Sequence, residues 1–197
     1  THFLSLKMLN QHHRLKDGRS IFLRQASPLD AAALLVAIEQ IIRSSTYTLT
    51  TPAEQDRSVE DQGRRIQQYT EARGGLILVA TSEEQIVGTL DFMGHHKLRN
   101  QHCGEFGMGI IPDFRGQGLG KVLLTALLEW APQHPIIEKV CLGVFADHAV
   151  ARQLYRKAGF VEEGVHRGAI KLSADHYADE VRMCRWVKSK WQGQEKE

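Results

Sequence analysis

The chain has 197 residues, 42% of them hydrophobic and 24% charged, the balance of a globular protein that buries its own core without staples. Lys plus Arg number 25 against 23 Asp plus Glu, a net charge of +2, which argues against nucleic acid as a partner and leaves anion affinity to a local site. Three cysteines without paired spacing argue against a disulfide framework or zinc site, and no apolar run approaches the ~20 residues that cross a bilayer.

The N-terminal segment has no apolar core of the signal-peptide kind, so a cytoplasmic location is expected. Residues 1–18 read as a polar, irregular extension closing on the turn signal Asp17-Gly18. One domain is expected over 19–188, with 189–197 as a frayed tail. Ile21-Phe22-Leu23-Arg24 reads as a first strand. Ser27-Pro28-Leu29-Asp30 reads as a helix start, with Ala31, Leu34, Leu35, Ile38, Ile41 and Ile42 on one face. Ser58 is placed to cap a second helix that ends at Gly74-Gly75.

Leu76 to Ala80 and Gln85 to Phe92 flank the polar tetrad Ser82-Glu83-Glu84-Gln85 and predict a hairpin. Glu105 to Ile111 is a further strand in which Gly107 and Gly109 imply a bend, a bulge or a close neighbour. Helices are predicted over Val122 to Trp130 and from Asp147 to Gly159, with a strand over Ile136 to Phe145 between them. Phe160-Val161 and Tyr177 to Val187 close the fold. The order β-α-α-β-β-β-α-β-α-β-β is that of a mixed α/β domain around one sheet. The pairs His12-His13 and His95-His96 lack the i, i+4 spacing that converges on a metal; they read as surface or loop residues, and no metal is expected.

Arg115-Gly116-Gln117-Gly118-Leu119-Gly120-Lys121 joins a strand to a helix. Such a junction presents unpaired N–H groups and the positive end of the helix dipole. Glycines let phosphate approach those amides, and Arg115 and Lys121 add charge. Two nucleotide motifs fail here. Val122 stands where a P-loop needs its magnesium-binding hydroxyl, and Leu123 stands where the dinucleotide fingerprint needs its third glycine.

Arg115-x-x-Gly118-x-Gly120 resembles the pyrophosphate-binding motif of the Gcn5-related N-acetyltransferase (GNAT) superfamily. Ile110-Ile111-Pro112-Asp113-Phe114 is similar to the strand end before that motif. Ala151-Arg152-Gln153-Leu154-Tyr155-Arg156-Lys157-Ala158-Gly159-Phe160 is similar to the family's later helix. The resemblance implies a central, mostly antiparallel twisted sheet with a splayed parallel strand pair, flanked by helices. It implies acetyl-CoA as co-substrate, with Ile110 and Ile111 along the pantetheine and the amides of Gly116, Gln117, Gly118, Leu119, Gly120 and Lys121 on the pyrophosphate. The family commonly has Asn where this chain has His148, which is expected to contact the cofactor instead.

The implied reaction is amine attack on a thioester within a ternary complex. An amine with a pKa of about 10.4 must first lose its proton, at about 4–5 kcal/mol at pH 7. Glu105 is expected as the base; a water chain is the alternative, because Cys141-Leu142-Gly143-Val144 carries no acid. An amide near Ile110 would meet the oxyanion, and Tyr155 would protonate the leaving sulfur. The acceptor is expected to be a small-molecule or amino-acid amine. The alternatives are a protein N-terminal or lysine acetyltransferase, or a CoA-binding regulatory module without turnover. Dimers are common in the resembling family, so a homodimer is allowed.

Overall fold

A computed structural model describes residues 9–188; the expected tail at 189–197 and the first eight positions of the expected extension lie outside the described residues. The described elements are β1 (Gln11–Arg14), β2 (Ser20–Gln25), α1 (Ala31–Arg43), α2 (Val59–Glu71), β3 (Gly75–Ser82), β4 (Gln85–Gly94), β5 (Cys103–Ile110), α3 (Leu119–Trp130), β6 (Lys139–Phe145), α4 (Ala149–Lys157), β7 (Val161–Ser173) and β8 (His176–Trp186). The strands form one sheet in the order β1-β2-β3-β4-β5-β6-β8-β7. All neighbours run antiparallel except β5 and β6, which are parallel. The mixed α/β architecture is therefore as the sequence implies.

Local chemistry explains the elements. The Ser27 amide donates to Asp30 at 2.7 Å ahead of α1, and Arg24 pairs with Asp30 at 2.6 Å, pinning the helix start to β2. Ser58 caps α2 by accepting from the Asp61 amide at 3.1 Å. Ser82 pairs with Gln85 across a two-residue turn with Glu83 at φ 54°. Leu76 to Ala80 of β3 is wholly buried because helices cover both faces. On one face Gly109 of β5 meets Ile41 of α1; on the other Gly88 of β4 meets Leu119 and Leu123 of α3. Among the described residues, no helix is long and apolar enough to cross a membrane.

The expectations for the N-terminal segment need correction. Residues 11–14 are not irregular: β1 pairs with β2, and Leu9 and Leu15 on either side are buried. His12 and His13 therefore sit on a strand rather than in a loop, and His13 is half-buried. The pairing of β4 with β5 shows no bulge, so of the alternatives for Gly109 the close neighbour is the one present. A Cβ on Gly109 would stand 2.9 Å from Ile41, so glycine there is what lets α1 pack down on the sheet.

Candidate active site

The sheet opens in the middle. β5 and β6 pair only at Cys103↔Lys139, Gly104↔Val140 and Glu105↔Cys141, although both strands run on. The direction of the β5 backbone beyond that point follows from its other neighbour. The His95 amide donates to the Cys103 carbonyl at 2.9 Å, and the Ile111 amide donates to the Val87 carbonyl at 3.1 Å. Both ends of the ladder thus place the odd-numbered residues of β5 in hydrogen-bonded pairs with β4. Alternation in an antiparallel ladder then turns the N–H and C=O groups of Phe106, Met108 and Ile110 toward β6. Past Glu105 there is no ladder to receive them, and they face the gap, except the Ile110 carbonyl, which accepts from Arg115 Nε at 2.9 Å.

This sorts the two isoleucines. Ile110 lies on the gap as expected. Ile111 does not: its side chain is buried and its amide is committed to Val87. Met108, which the sequence reading did not single out, turns its backbone groups to the gap beside Ile110, and strand parity is the signal that would have found it.

At the end of the gap stands the glycine segment. Gly116 and Gly118 have φ of +73° and +91°, which disfavour any side chain. Gly118 is the N-cap of α3 and provides no side-chain cap. Among the described residues nothing accepts from the amides of Gly116, Gln117, Gly118, Leu119 or Gly120. The Lys121 amide differs from its expected role, because it donates to the Gly118 carbonyl at 3.0 Å. A helix start with bare donors beside an exposed loop is a physical match for a phosphate group.

Arg115 also departs from expectation. Its guanidinium turns away from the loop, donating to the Ile110 carbonyl at 2.9 Å and to the Ser44 carbonyl and hydroxyl at 3.0 and 2.7 Å. The β1–β2 turn covers the other side. The Lys16 amide donates to the Gln117 carbonyl at 3.2 Å, and the Arg19 guanidinium lies 3.7 Å from the Phe114 ring centroid.

α4 lies beneath the gap. Gly120 sits where a Cβ would be 3.2 Å from Leu154, 3.5 Å from Ile110 and 3.6 Å from Met108, so α3, α4 and the β5 end converge. Tyr155 is buried, its ring 5.8 Å from Phe106 and 6.0 Å from Phe160. Its hydroxyl makes no hydrogen bond among the described residues, and burial pushes its pKa up to about 12. Packing and an available phenol coexist.

The face that carries Glu105 and Gly107 is open, and α1 closes it at Gly109. Glu105 is exposed and ion-paired with Arg182, which also lies 3.7 Å from Glu180. Glu180 and Arg182 lean over Gly143, whose missing side chain gives them room. On the opposite side Asp91 accepts from Arg65 at 3.0 Å and Tyr69 at 3.2 Å. Above the end of β6, Tyr47 stacks on His148 at 3.9 Å and meets Phe145 edge-on at 5.6 Å. Burial, more than neighbouring Asp147 can offset, holds the His148 imidazole below its ordinary pKa. His148 is thus at the gap's end, stacked against the chain's own tyrosine. Tyr47, Arg182 and Asp91 carried no sequence signal, because only the fold brings them to this face.

The opened parallel pair, the bare helix start and the buried phenol thus meet at one end of the sheet. Residues 36–160 match the model of the acetyltransferase (GNAT) family, and the chain belongs to that family of acyl-transferring enzymes. It is similar to the L-amino acid N-acetyltransferase AaaT of Escherichia coli (strain K12), at 28% identity over 108 residues. That stretch is 55% of this chain and 66% of the relative, just under two thirds of its length. In fold it is similar to an acetyltransferase of the GNAT family from Streptococcus pneumoniae, with a TM-score of 0.81 at 23% identity over 85% of this chain and 99% of that one. A phosphinothricin acetyltransferase (Pat) from Sinorhizobium meliloti, in complex with AcCoA, has a TM-score of 0.74 at 19% identity, covering 89% and 94%.

Proposed function

We propose that the chain is an N-acetyltransferase that moves an acetyl group from acetyl-CoA to the primary amine of a small molecule or amino acid. The observation that carries this is the β5–β6 gap ending on a helix start whose amides have no acceptor. The residues fit the donor at each part. Bare amides from Gly116 to Gly120 suit the pyrophosphate, and the inward N–H groups of Met108 and Ile110 suit an amide-bearing pantetheine arm. The same cofactor is bound by the Sinorhizobium meliloti relative, and an amino acid is the acceptor in the name of the Escherichia coli relative.

Acetyl-CoA supplies the thioester that the amine attacks. The chain's residues supply orientation and protons. Glu105, its carboxylate directed by Arg182, takes the proton from the acceptor's ammonium on the open face. The Met108 or Ile110 amide donates to the carbonyl oxygen as charge gathers there. Tyr155 donates its Oη proton toward the departing sulfur. A phenol near 12 stays protonated at every working pH. The burial that raises it also penalises a sulfur anion in the same dry gap, which favours sharing of the proton. Tyr47, stacked on His148, screens the reacting end from water.

The test is thiol release from acetyl-CoA across a panel of small amines, amino acids and peptides. Release with amino acids or small amines, and not with peptides, is the expected result. Release with peptides alone moves the acceptor to protein. CoA binding without release from any acceptor makes the chain a binding module.

A further inference from the structure

We propose that Lys16 is a phosphate-binding residue of this site, its ammonium holding the pyrophosphate that lies on the Gly116–Gly120 amides. The inference rests on the reading of the glycine segment given under Proposed function.

The β1–β2 turn is fastened to the loop that leads into α3. The Lys16 amide donates to the Gln117 carbonyl at 3.2 Å. Arg19 donates to the Asp113 carbonyl at 2.6 Å and covers the Phe114 ring. The turn itself is closed by the Leu15 amide on the Arg19 carbonyl at 2.8 Å and the Gly18 amide on the Leu15 carbonyl at 3.0 Å, with Gly18 at φ +89°. Lys16 is therefore held against the glycine segment, and its side chain has no other direction imposed on it.

That side chain crosses Gly118. A Cβ on Gly118 would stand 3.9 Å from Lys16 Cε and 4.0 Å from Cγ. Gly118 is the residue at φ +91° that caps α3 without a side chain, so the lysine stem runs over the helix's positive end. Placing a cation there costs energy unless an anion joins it.

The charge inventory points the same way. Arg115, the flanking cation in the motif, is committed to Ser44 and Ile110. Asp17, the acid beside Lys16, is taken by Arg19 at 2.6 Å. Lys16 is exposed and makes no side-chain hydrogen bond or ion pair among the described residues. Lys121 is also unpaired among the described residues, but it is the Lys16 stem that lies over Gly118, so Lys16 is an unspent cation leaning over the bare amides. It comes from residue 16, ahead of the matched family region that begins at residue 36.

The experiment is titration calorimetry of the whole chain and of Lys16→Met, which keeps the apolar stem and loses the charge. The ligands are CoA, dephospho-CoA and pantetheine. The expected result is about a tenfold loss for both CoA and dephospho-CoA, with pantetheine unchanged, since one charge-assisted contact of this kind is worth about a factor of ten. Lys16→Arg should recover most of the loss, and high salt should narrow the gap. A loss for CoA alone overturns the placement, because only the 3′-phosphate distinguishes it from dephospho-CoA. Equal affinities in the variant and the unchanged chain overturn the lysine's role and leave the glycine segment standing. No CoA binding by the unchanged chain overturns both.

Discussion

The guanidinium of Arg115 bonds the carbonyl and hydroxyl of Ser44, 71 residues earlier in the chain, at 3.0 and 2.7 Å. Its Nε holds the Ile110 carbonyl at 2.9 Å. One side chain thus ties the end of α1, the end of β5 and the glycine loop together. The arginine of the motif is here a strut between α1 and the end of β5.

Arg115→Ala should therefore cost stability before it costs cofactor. These bonds are exposed, so a loss of about 1 kcal/mol is expected in urea unfolding. Arg115→Lys should fare little better, because an ammonium cannot fork between Ser44 and Ile110. CoA affinity should stay within about threefold, which is under 1 kcal/mol. Unchanged stability with a tenfold weaker CoA complex would return Arg115 to the phosphate.

Tyr155→Phe should lower turnover by about 10²-fold with CoA affinity nearly unchanged, the usual scale for a lost proton donor. Unaltered turnover would remove its acid role. The same phenol makes a stability prediction with a definite sign. Its folded pKa, about 12, lies above the ordinary 10.0, so the neutral phenol's contribution is intact below pH 10 and lost as pH rises toward 12. The full loss is about 2–3 kcal/mol. Comparing unfolding of the unchanged chain and Tyr155→Phe between pH 9 and 12 checks it: the variant should show the shallower decline.

Glu105→Gln should reduce kcat/KM by about 10²-fold and flatten the acid limb of its pH profile. CoA binding should not change, since Glu105 is on the open face proposed for the acceptor and is paired with Arg182. If the acid limb persists in the variant, the proton goes elsewhere, and a water chain becomes the better account.

Gly109→Ala should destabilise the chain by about 1–3 kcal/mol, because the new methyl would stand 2.9 Å from Ile41. Ile41→Ala should absorb part of that cost. In a double-mutant cycle the combined loss should fall short of the sum by about 1 kcal/mol. Strict additivity would mean that Gly109 is glycine for another reason.

The parts that were legible from sequence are those set by neighbours along the chain. The glycine loop, the Ser58 cap, the Ser82–Gln85 hairpin and the Leu154-Tyr155 helix closing at Gly159 all depend on local backbone chemistry. What the sequence left open depends on distant partners. Arg115 reads as a phosphate ligand until Ser44 arrives beside it. Ile111 reads like Ile110 until Val87 takes its amide. Gly109 reads as a bend, a bulge or a close neighbour until Ile41 shows it to be the neighbour. β1 is short and polar because it is an edge strand, where periodicity is faint, and with it Lys16 was out of view. The open face proposed for the acceptor gathers Asp91, Glu105, Glu180 and Arg182 from three strands, and no spacing announces such a set.

Three rungs, from Cys103↔Lys139 to Glu105↔Cys141, are all that join β5 to β6. The sheet is accordingly two smaller sheets, β1 to β5 and β6-β8-β7, riveted at one end and open at the other. A break there would let each half breathe as its own cooperative unit, and amide exchange should report two families of protection with a boundary at Phe106. A molecule lying between Met108 and Gly143 would act as a fourth rivet, slowing exchange in both halves at once.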